Sequence, residues 1–227
     1  MKILLLVLSI IILPNFYTQV NLDWAKDYKY SAVSDDSPTV MKLDRNGSIY
    51  VLGNSYLENS GYFSLVKYNS SGNLIWSKNY GVPFTEGLIS ATSMVIDTGG
   101  SIYISGEYNS KLLTLKYSGD GILIWSKFYS EQGNDSNLKG GRIIISRSGA
   151  LIVSSTIGTD GKIIILKYDL SGNLIWAKKL NQFSRNYYGA YRLAEDSNGN
   201  IYVAGKTAVT INTTDYLLIK LDHEGNY

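Results

Sequence analysis

Cysteine is absent from the 227-residue chain, and histidine occurs once, as His223. The first absence excludes disulfide bonds, thiolate nucleophiles and cysteine-based zinc sites. The second excludes any metal site that needs two imidazoles. A general base needs an oriented partner, and His223 lies in a turn-like tail segment that supplies none. We therefore predict no catalytic residue, no metal site and no cofactor.

Charge is also scarce and balanced. The chain has 21 Lys and Arg against 19 Asp and Glu, for a net charge of +2. Such a balance favours neither nucleic acid nor an acidic membrane surface as a partner. Hydrophobic residues make up 44% of the chain, which is enough for a core and excludes a disordered chain.

The N-terminus has the pattern of an export signal. Met1 and Lys2 precede an apolar run at residues 3–13, which Pro14 ends. One positive residue before a short apolar run is typical of a secretory signal peptide, and a membrane span would need about 20 apolar residues. We predict a signal peptide at residues 1–19, a mature chain without a membrane span, and a secreted or bacterial cell-envelope location.

One segment is repeated along the chain. Complete copies stand at residues 67–80, 116–129 and 167–180, and the end of the segment stands alone at residues 22–28. Each copy carries a tryptophan at the same place, at Trp24, Trp76, Trp125 and Trp176. These tryptophans are spaced by about 50 residues, and self-similarity at such a period indicates a repeat architecture.

Hairpin turns divide each period into four strands. An Asp, Asn or Ser begins each turn, and a glycine closes it in the left-handed conformation. The turn glycines are Gly47, Gly72, Gly121, Gly172 and Gly199. The third strands are apolar on both faces, as at residues 162–166, so each small sheet must be covered on both sides.

Four-stranded sheets that cover one another at this period are the blades of a β-propeller. We predict an all-β propeller of four-stranded antiparallel blades in residues 20–227; a β-sandwich would not explain the four-strand period. The blades are expected at residues 38–80, 91–129, 141–180 and 189–227. Residues 22–28 are expected to be an outer strand without its blade, and the last blade lacks an outer strand.

Two arrangements follow from this strand inventory. The chain is a small ring of four blades, closed by residues 22–28 against the third strand of the last blade. Alternatively, it is an open arc of a larger ring whose closing C-terminal blades are missing.

Two motifs carry a resemblance to a known family. They are Asp-Ser-Asn-Gly-Asn-Ile-Tyr-Val at residues 196–203 and Lys-Tyr-Asn-Ser-Ser-Gly-Asn-Leu-Ile-Trp at residues 67–76. The repeat resembles the bacterial seven-bladed β-propeller repeat (SBBP-type) family of exported and surface proteins, over residues 22–227. The resemblance implies a fold and a location, and no common reaction.

The loops on one side of the predicted ring differ from blade to blade. They join the second strand to the third and one blade to the next, whereas the turns on the other side are short and uniform. Binding residues concentrate on loops that a rigid scaffold carries. The candidate contacts on this face are Asp35, Asp36, Tyr56, Glu86, Tyr108, Asp135, Tyr187 and Tyr188.

Two arginines form a second candidate site. Arg142 and Arg192 occupy equivalent positions on innermost strands, where the other blades have Val40 and Ser93. Two guanidinium groups near a central channel can hold a carboxylate or a phosphate. An ion pair with a nearby Asp or Glu is the alternative.

The repeated tryptophans and lysines have structural explanations. A Trp at the same place in every blade is expected to be a packing wedge between blades rather than a ladder for stacking sugars. The lysines that precede them are interpreted as side chains that extend from a strand edge, with an anion track as the alternative. They are Lys67, Lys116, Lys167 and Lys220.

Three functions remain open from the sequence. The first is a non-catalytic surface or secreted propeller that binds an unidentified protein or glycan through its variable loops. The second is an enzyme, either a glycoside hydrolase or lyase or a fragment resembling a quinoprotein. Glycosidases can work with two carboxylates, here Asp35 or Asp36 with Glu86. The third is a structural spacer without a ligand.

Overall fold

The computed structural model describes residues 23–81, 89–131, 138–158, 162–180, 188–210 and 213–227. These residues form fifteen β-strands. Within those ranges, no helix is long and apolar enough to cross a membrane. The strands form four antiparallel sheets that follow one another along the chain.

Each sheet is a simple meander. Blade 1 consists of β1 (Asp35–Leu43), β2 (Ile49–Leu57), β3 (Ser60–Tyr68) and β4 (Leu74–Tyr80). Blade 2 consists of β5 (Ile89–Ile96), β6 (Ile102–Tyr108), β7 (Lys111–Tyr117) and β8 (Leu123–Tyr129). Blade 3 consists of β9 (Leu138–Ile145), β10 (Leu151–Ile157), β11 (Lys162–Tyr168) and β12 (Leu174–Leu180). Blade 4 has three strands, β13 (Tyr188–Glu195), β14 (Ile201–Thr210) and β15 (Thr213–Leu221). The predicted all-β propeller fold is confirmed.

The aspartates of the turns accept hydrogen bonds from backbone N–H groups of the same turns. Oδ1 of Asp44 accepts hydrogen bonds from the backbone N–H groups of Asn46 and Ser48, both at 2.9 Å. Asp196 does the same, and hydrogen bonds from the side chain of Asn200 and from the backbone lower its pKa to about 2. These carboxylates are therefore part of the hairpin turns.

The core lies between the blades. Three buried clusters each join one sheet to the next, and the first brings Phe63 and Leu65 of blade 1 against Met94 of blade 2. In β11, Ile163, Ile164, Ile165 and Leu166 are all buried. Both faces of that sheet are thus covered, as its sequence predicted, and each such side chain contributes about 1.5–3 kcal/mol by leaving water.

In blades 1, 2 and 3, a tryptophan and a lysine contact a turn of the next blade. Nε1 of Trp76 and Nζ of Lys67 both donate to the backbone oxygen of Gly119, at 3.3 and 3.1 Å. The indole lies where a Cβ on Gly121 would be only 3.0 Å away. We call this pair of donors the blade clamp.

The blade clamp is repeated along the chain. Trp125 and Lys116 of blade 2 donate to the backbone oxygen of Leu170 in blade 3, at 3.3 and 3.1 Å. Lys167 of blade 3 donates to that of His223 in blade 4 at 3.0 Å. Lys67, Lys116 and Lys167 are therefore donors between blades, a role that neither interpretation of the sequence included.

A bulge in the innermost strand fits against a glycine of the second strand. In blade 2 the bulge lies between Ala91 and Ser93, and a Cβ on Gly106 would be 2.3 Å from the backbone oxygen of Ser90. Blade 3 has Ser155 at the position of Gly106, and its bulge lies one residue earlier, at Gly140 with φ of 50°. The extra Cβ of the serine accounts for this shift.

Residues 22–28 were expected to be an outer strand without its blade, and in the described part, residues 23–28 pair with no other strand. Trp24 nevertheless lies against a turn of blade 1, where a Cβ on Gly72 would be 2.8 Å from its ring. At the other end, Tyr216 is 100% and Leu218 is 70% exposed. Packing joins each described blade to its neighbour in sequence. The described residues therefore form an open arc, and residues 23–28 do not close it against β15.

Candidate functional site

The predicted loop contacts in blade 1 are partly engaged within the protein. Oδ2 of Asp36 accepts hydrogen bonds from the backbone N–H of Tyr30 at 3.0 Å and from Oγ of Ser34 at 2.8 Å. Burial alone would raise the pKa of Asp36, but hydrogen bonds from Ser55, Tyr30 and Ser34 outweigh it and lower the pKa. Asp35 is exposed and lies opposite Tyr56 in the β1–β2 pair.

The predicted tyrosine contacts lie between strands and blades. The hydroxyl of Tyr56 donates to the backbone oxygen of Ile89 in blade 2 at 2.7 Å. Tyr108 is 7% exposed, and its ring packs edge-on against Phe128 with 5.6 Å between centroids. Little of the Tyr108 ring is left for a ligand.

Four of the predicted contacts fall wholly or partly outside the structure. Glu86, Asp135 and Tyr187 lie outside the described residues, and of Tyr188 only the backbone is described, at the start of β13.

The two predicted arginines come together at one backbone oxygen. Nε of Arg142 and Nη1 of Arg192 both donate to the oxygen of Tyr191, at 3.0 and 2.7 Å. Nη1 of Arg142 also donates to the backbone oxygen of Thr92 at 2.6 Å. Arg142 in blade 3 thus joins the innermost strands of blades 2 and 4.

Among the described residues, no carboxylate compensates the positive charge of this pair. Burial and then the charge of Arg192 lower the pKa of Arg142, although a guanidinium group stays protonated in a protein. Within the part of the chain that the structure describes, neither arginine forms a salt bridge with a carboxylate. The predicted alternative, an ion pair with a nearby Asp or Glu, is not found among those residues.

A third cation contacts the same residue. Nζ of Lys206 lies 5.7 Å from the ring centroid of Tyr191, and Tyr191 is 42% exposed. Sequence reasoning did not select Tyr191 or Lys206. Each guanidinium has five N–H donors, of which the described contacts use one or two, so several remain for a bidentate anion. We call Arg142, Arg192, Lys206 and Tyr191 the basic cluster.

The position of Lys206 has a structural role in the other blades. The backbone N–H of Ala91 donates to Oδ1 of Asn54 at 2.8 Å, and that of Ala190 donates to Oγ1 of Thr156 at 3.4 Å. Glu107 accepts the equivalent hydrogen bond from Gly140, and its burial raises the pKa of its carboxyl. Of the three side chains that accept this hydrogen bond between blades, only Glu107 of blade 2 is ionisable.

We expect Glu107→Gln to raise the free energy of unfolding at pH 7. Burial raises the pKa of Glu107 in the folded protein above its unfolded value of about 4.3. Below about pH 4.3 the carboxyl is protonated in both states and burial carries no charge penalty. As pH rises through the folded pKa, the buried carboxyl ionises and the folded state loses stability. The variant should therefore be more stable than the parent at neutral pH and equal to it near pH 3. Chemical denaturation at both pH values measures this difference.

The reciprocal variant at the equivalent position is the control. Asn54→Asp places a carboxylate where Asn54 accepts the hydrogen bond from Ala91. It should lower the free energy of unfolding at pH 7. Equal stability of Glu107→Gln and the parent at pH 7 would contradict the raised pKa.

A metal centre is not formed by the described residues. In residues 23–81, 89–131, 138–158, 162–180, 188–210 and 213–227, no group of three or more His, Cys, Asp or Glu side chains is placed to hold an ion. The basic cluster has guanidinium donors left over for a ligand, and its charge favours an anion.

Comparison with known proteins identifies the fold and no family. No protein-family model matches the chain, and no curated protein matches it by sequence. Among solved structures, the chain is similar to an ulvan lyase of polysaccharide lyase family PL25, bound to -[GlcA(1-4)Rha3S]-. That match has a TM-score of 0.56 and 11% identity, and covers 83% of this chain and 56% of the lyase.

Two further structures match in the same way. The polysaccharide lyase Uly1 has a TM-score of 0.52 at 13% identity, over 92% of this chain and 57% of the lyase. A protein of unknown function from Dyadobacter fermentans has a TM-score of 0.51 at 12% identity, over 85% of this chain and 61% of that protein. The chain thus spans less than two thirds of each of these proteins. At these identities the likeness establishes a β-propeller fold alone.

Proposed function

We propose that the chain is an exported or cell-surface β-propeller that binds a protein or glycan without catalysing a reaction. The anionic group of the ligand is bound by the basic cluster, and the variable loops add contacts around it. The apolar run at residues 3–13 supports export, and the two repeat motifs support a place in the bacterial seven-bladed repeat family.

One observation carries the proposal. Arg142 and Arg192 donate to the same neutral oxygen of Tyr191 and have no carboxylate partner among the described residues. Two like charges held side by side raise each other's energy, and an anion relieves that repulsion. A carboxylate or sulfate can accept the remaining guanidinium donors as a fork.

Acidic glycans are the first ligands to test. The ulvan lyase of similar fold is solved with an oligosaccharide that contains glucuronate and a sulfated rhamnose. Such a sugar supplies the anionic groups that the basic cluster would bind. A neutral glycan would form only uncharged-acceptor hydrogen bonds with the two arginines, which are weaker than those to an anionic group, so charge should decide which glycans bind.

The test is a binding measurement with acidic and neutral oligosaccharides. We expect Arg192→Gln to weaken binding of the acidic ligand by about tenfold or more, equivalent to about 1.4 kcal/mol. Arg192→Lys keeps the charge but loses the planar fork, and should fall between parent and Arg192→Gln. Titration calorimetry at low ionic strength gives the three affinities.

Arg45→Gln is the matched control. Arg45 is an exposed arginine in the β1–β2 turn of blade 1, at the end of the strands opposite to the variable loops. Its loss should leave binding unchanged. Unchanged binding by Arg192→Gln, or no preference for acidic over neutral oligosaccharides, would contradict the proposal.

A lyase is the second candidate function. Removal of the proton next to a carboxylate becomes feasible once that charge is neutralised. The basic cluster places two guanidinium groups at the backbone oxygen of Tyr191, and Nζ of Lys206 lies 5.7 Å from the Tyr191 ring. Incubation with uronate polymers, followed by ultraviolet absorbance of unsaturated products, tests this activity. We expect no product, and its appearance would replace the binding proposal. Release of reducing sugar tests the hydrolase alternative with Asp35 or Asp36 and Glu86.

A further inference from the structure

Residues 23–28 lie on blade 1 in the way that an outer strand lies on the next blade. Trp24 fills the space over Gly72, where a Cβ would be 2.8 Å from the indole ring. Trp125 fills the equivalent space over Gly172, where a Cβ would be 3.0 Å away. The N-terminal segment therefore has the place of an outer strand from a blade that precedes blade 1.

A tyrosine contact at the end of the segment agrees with this placement. Tyr28 lies near Tyr68, the last residue of β3. Tyr80, which ends the outer strand of blade 1, lies in the same way near Tyr117, which ends β7. Two separate contacts thus match, although residues 23–28 have no strand beside them among the described residues.

Blade 4 has no fourth strand among the described residues. β15 is the edge strand of its sheet, and Tyr216 and Leu218 on it are 100% and 70% exposed. Their equivalents in blade 3, Ile163 and Ile165, are 2% and 0% exposed. An apolar strand edge of this kind is a template for another strand.

The register of the missing pair follows from blade 3. There, Lys167 lies opposite Trp176, and Ile165 lies opposite Lys178. Lys67 opposite Trp76 and Lys116 opposite Trp125 repeat the first pair in blades 1 and 2. Transferred to β15, this register places Lys220 opposite Trp24 and Leu218 opposite Lys26.

Blade 1 has an open face to receive a neighbouring blade. Met41 is 61% exposed. A cleft of about 270 Å³ lies between residues 23–28 and blade 1, with Val51 and Val66 among its lining. For β15 of the same chain to reach this face, the packing between neighbouring blades would have to change, and packed cores resist such change. A second copy offers both the edge of β15 and the face of blade 1 that each chain leaves exposed.

We propose that two copies of this chain complete each other. Residues 23–28 of one copy pair with β15 of the other as the fourth strand of its blade 4, and blade 4 packs on the open face of blade 1. Each copy gives one strand and accepts one, so two copies form a closed pair with twofold symmetry.

The absence of cysteine makes disulfide trapping a clean test. Chains carrying Lys26→Cys are mixed with chains of a different tag length carrying Leu218→Cys, and then oxidised. Because cross-strand Cβ atoms lie about 4.5–5.5 Å apart, close to disulfide geometry, we expect a cross-linked product that contains one chain of each length. Asp27→Cys replaces Lys26→Cys as the control, since neighbouring residues of a strand point to opposite faces. It should give little of this product.

Light scattering gives an independent readout. The parent is expected at the mass of two chains and Trp24→Ala at the mass of one, with the far-ultraviolet circular dichroism of the parent. Two results would overturn the proposal: no mixed product above the Asp27→Cys control, or a monomeric parent. A monomeric disulfide in a chain that carries both Lys26→Cys and Leu218→Cys would likewise overturn it, in favour of a ring closed by one copy.

Discussion

Replacing Gly106 with alanine is expected to lower the free energy of unfolding by about 3 kcal/mol. A Cβ at this position would lie 2.3 Å from the backbone oxygen of Ser90 and 2.6 Å from the ring of Phe63. The first contact is with backbone at a bulge, so it cannot be relieved by turning a side chain. For a protein of this size, the loss corresponds to a fall in melting temperature of about 8 °C.

The same position in blade 3 provides the control. Ser155 already carries a Cβ there, because the bulge of β9 lies one residue earlier. Ser155→Ala removes a hydroxyl that makes one long hydrogen bond, 3.3 Å to the backbone oxygen of Lys139, and should cost less than about 1 kcal/mol. If Gly106→Ala and Ser155→Ala melt at the same temperature, the bulge does not require the glycine.

Trp125→Ala is expected to lower the free energy of unfolding by about 3 kcal/mol. The indole lies over Gly172, with its ring centroid 6.2 Å from that of Tyr103, and its Nε1 donates to the backbone oxygen of Leu170. Truncation removes this packing and the hydrogen bond together, at an interface between two blades. Urea denaturation followed by circular dichroism measures the change.

Two variants separate packing from the hydrogen bond. Trp125→Phe keeps most of the ring and loses the N–H. The lost hydrogen bond should lower the free energy of unfolding by about 1 kcal/mol, in addition to the effect of the smaller ring. Ile124→Ala removes an exposed neighbour on the same strand (52% exposed) and should change stability by less than about 0.5 kcal/mol. A loss in Trp125→Ala no larger than that in Ile124→Ala would mean that the indole is not a wedge between blades.

The blade repeat was readable from the sequence because its cues are local. A turn glycine such as Gly121 and an apolar strand such as residues 162–166 each act within a few residues. The oxygen that Lys67 contacts belongs to Gly119, in the next blade. Contacts between residues about 50 positions apart depend on how one sheet is stacked on another, which no local pattern specifies.

The candidate site illustrates the same limit. The equivalence of Arg142 and Arg192 could be read from the repeat, but their shared acceptor is a backbone oxygen, and every residue has one. Tyr191 precedes Arg192 directly, which is the one sequence cue that could have selected it. The raised pKa of Glu107 arises from burial against blade 3, and its own strand gives no sign of it.

The blade clamps all have the same direction, from each blade to the next one along the chain. Every described donor pair therefore meets a turn of the same shape, with a glycine under the indole. A unit of one clamp and one receiving turn can be added or removed without leaving a donor or an acceptor mismatched. The architecture is modular in this sense, and chain length is a variable that duplication of one unit can change without new chemistry.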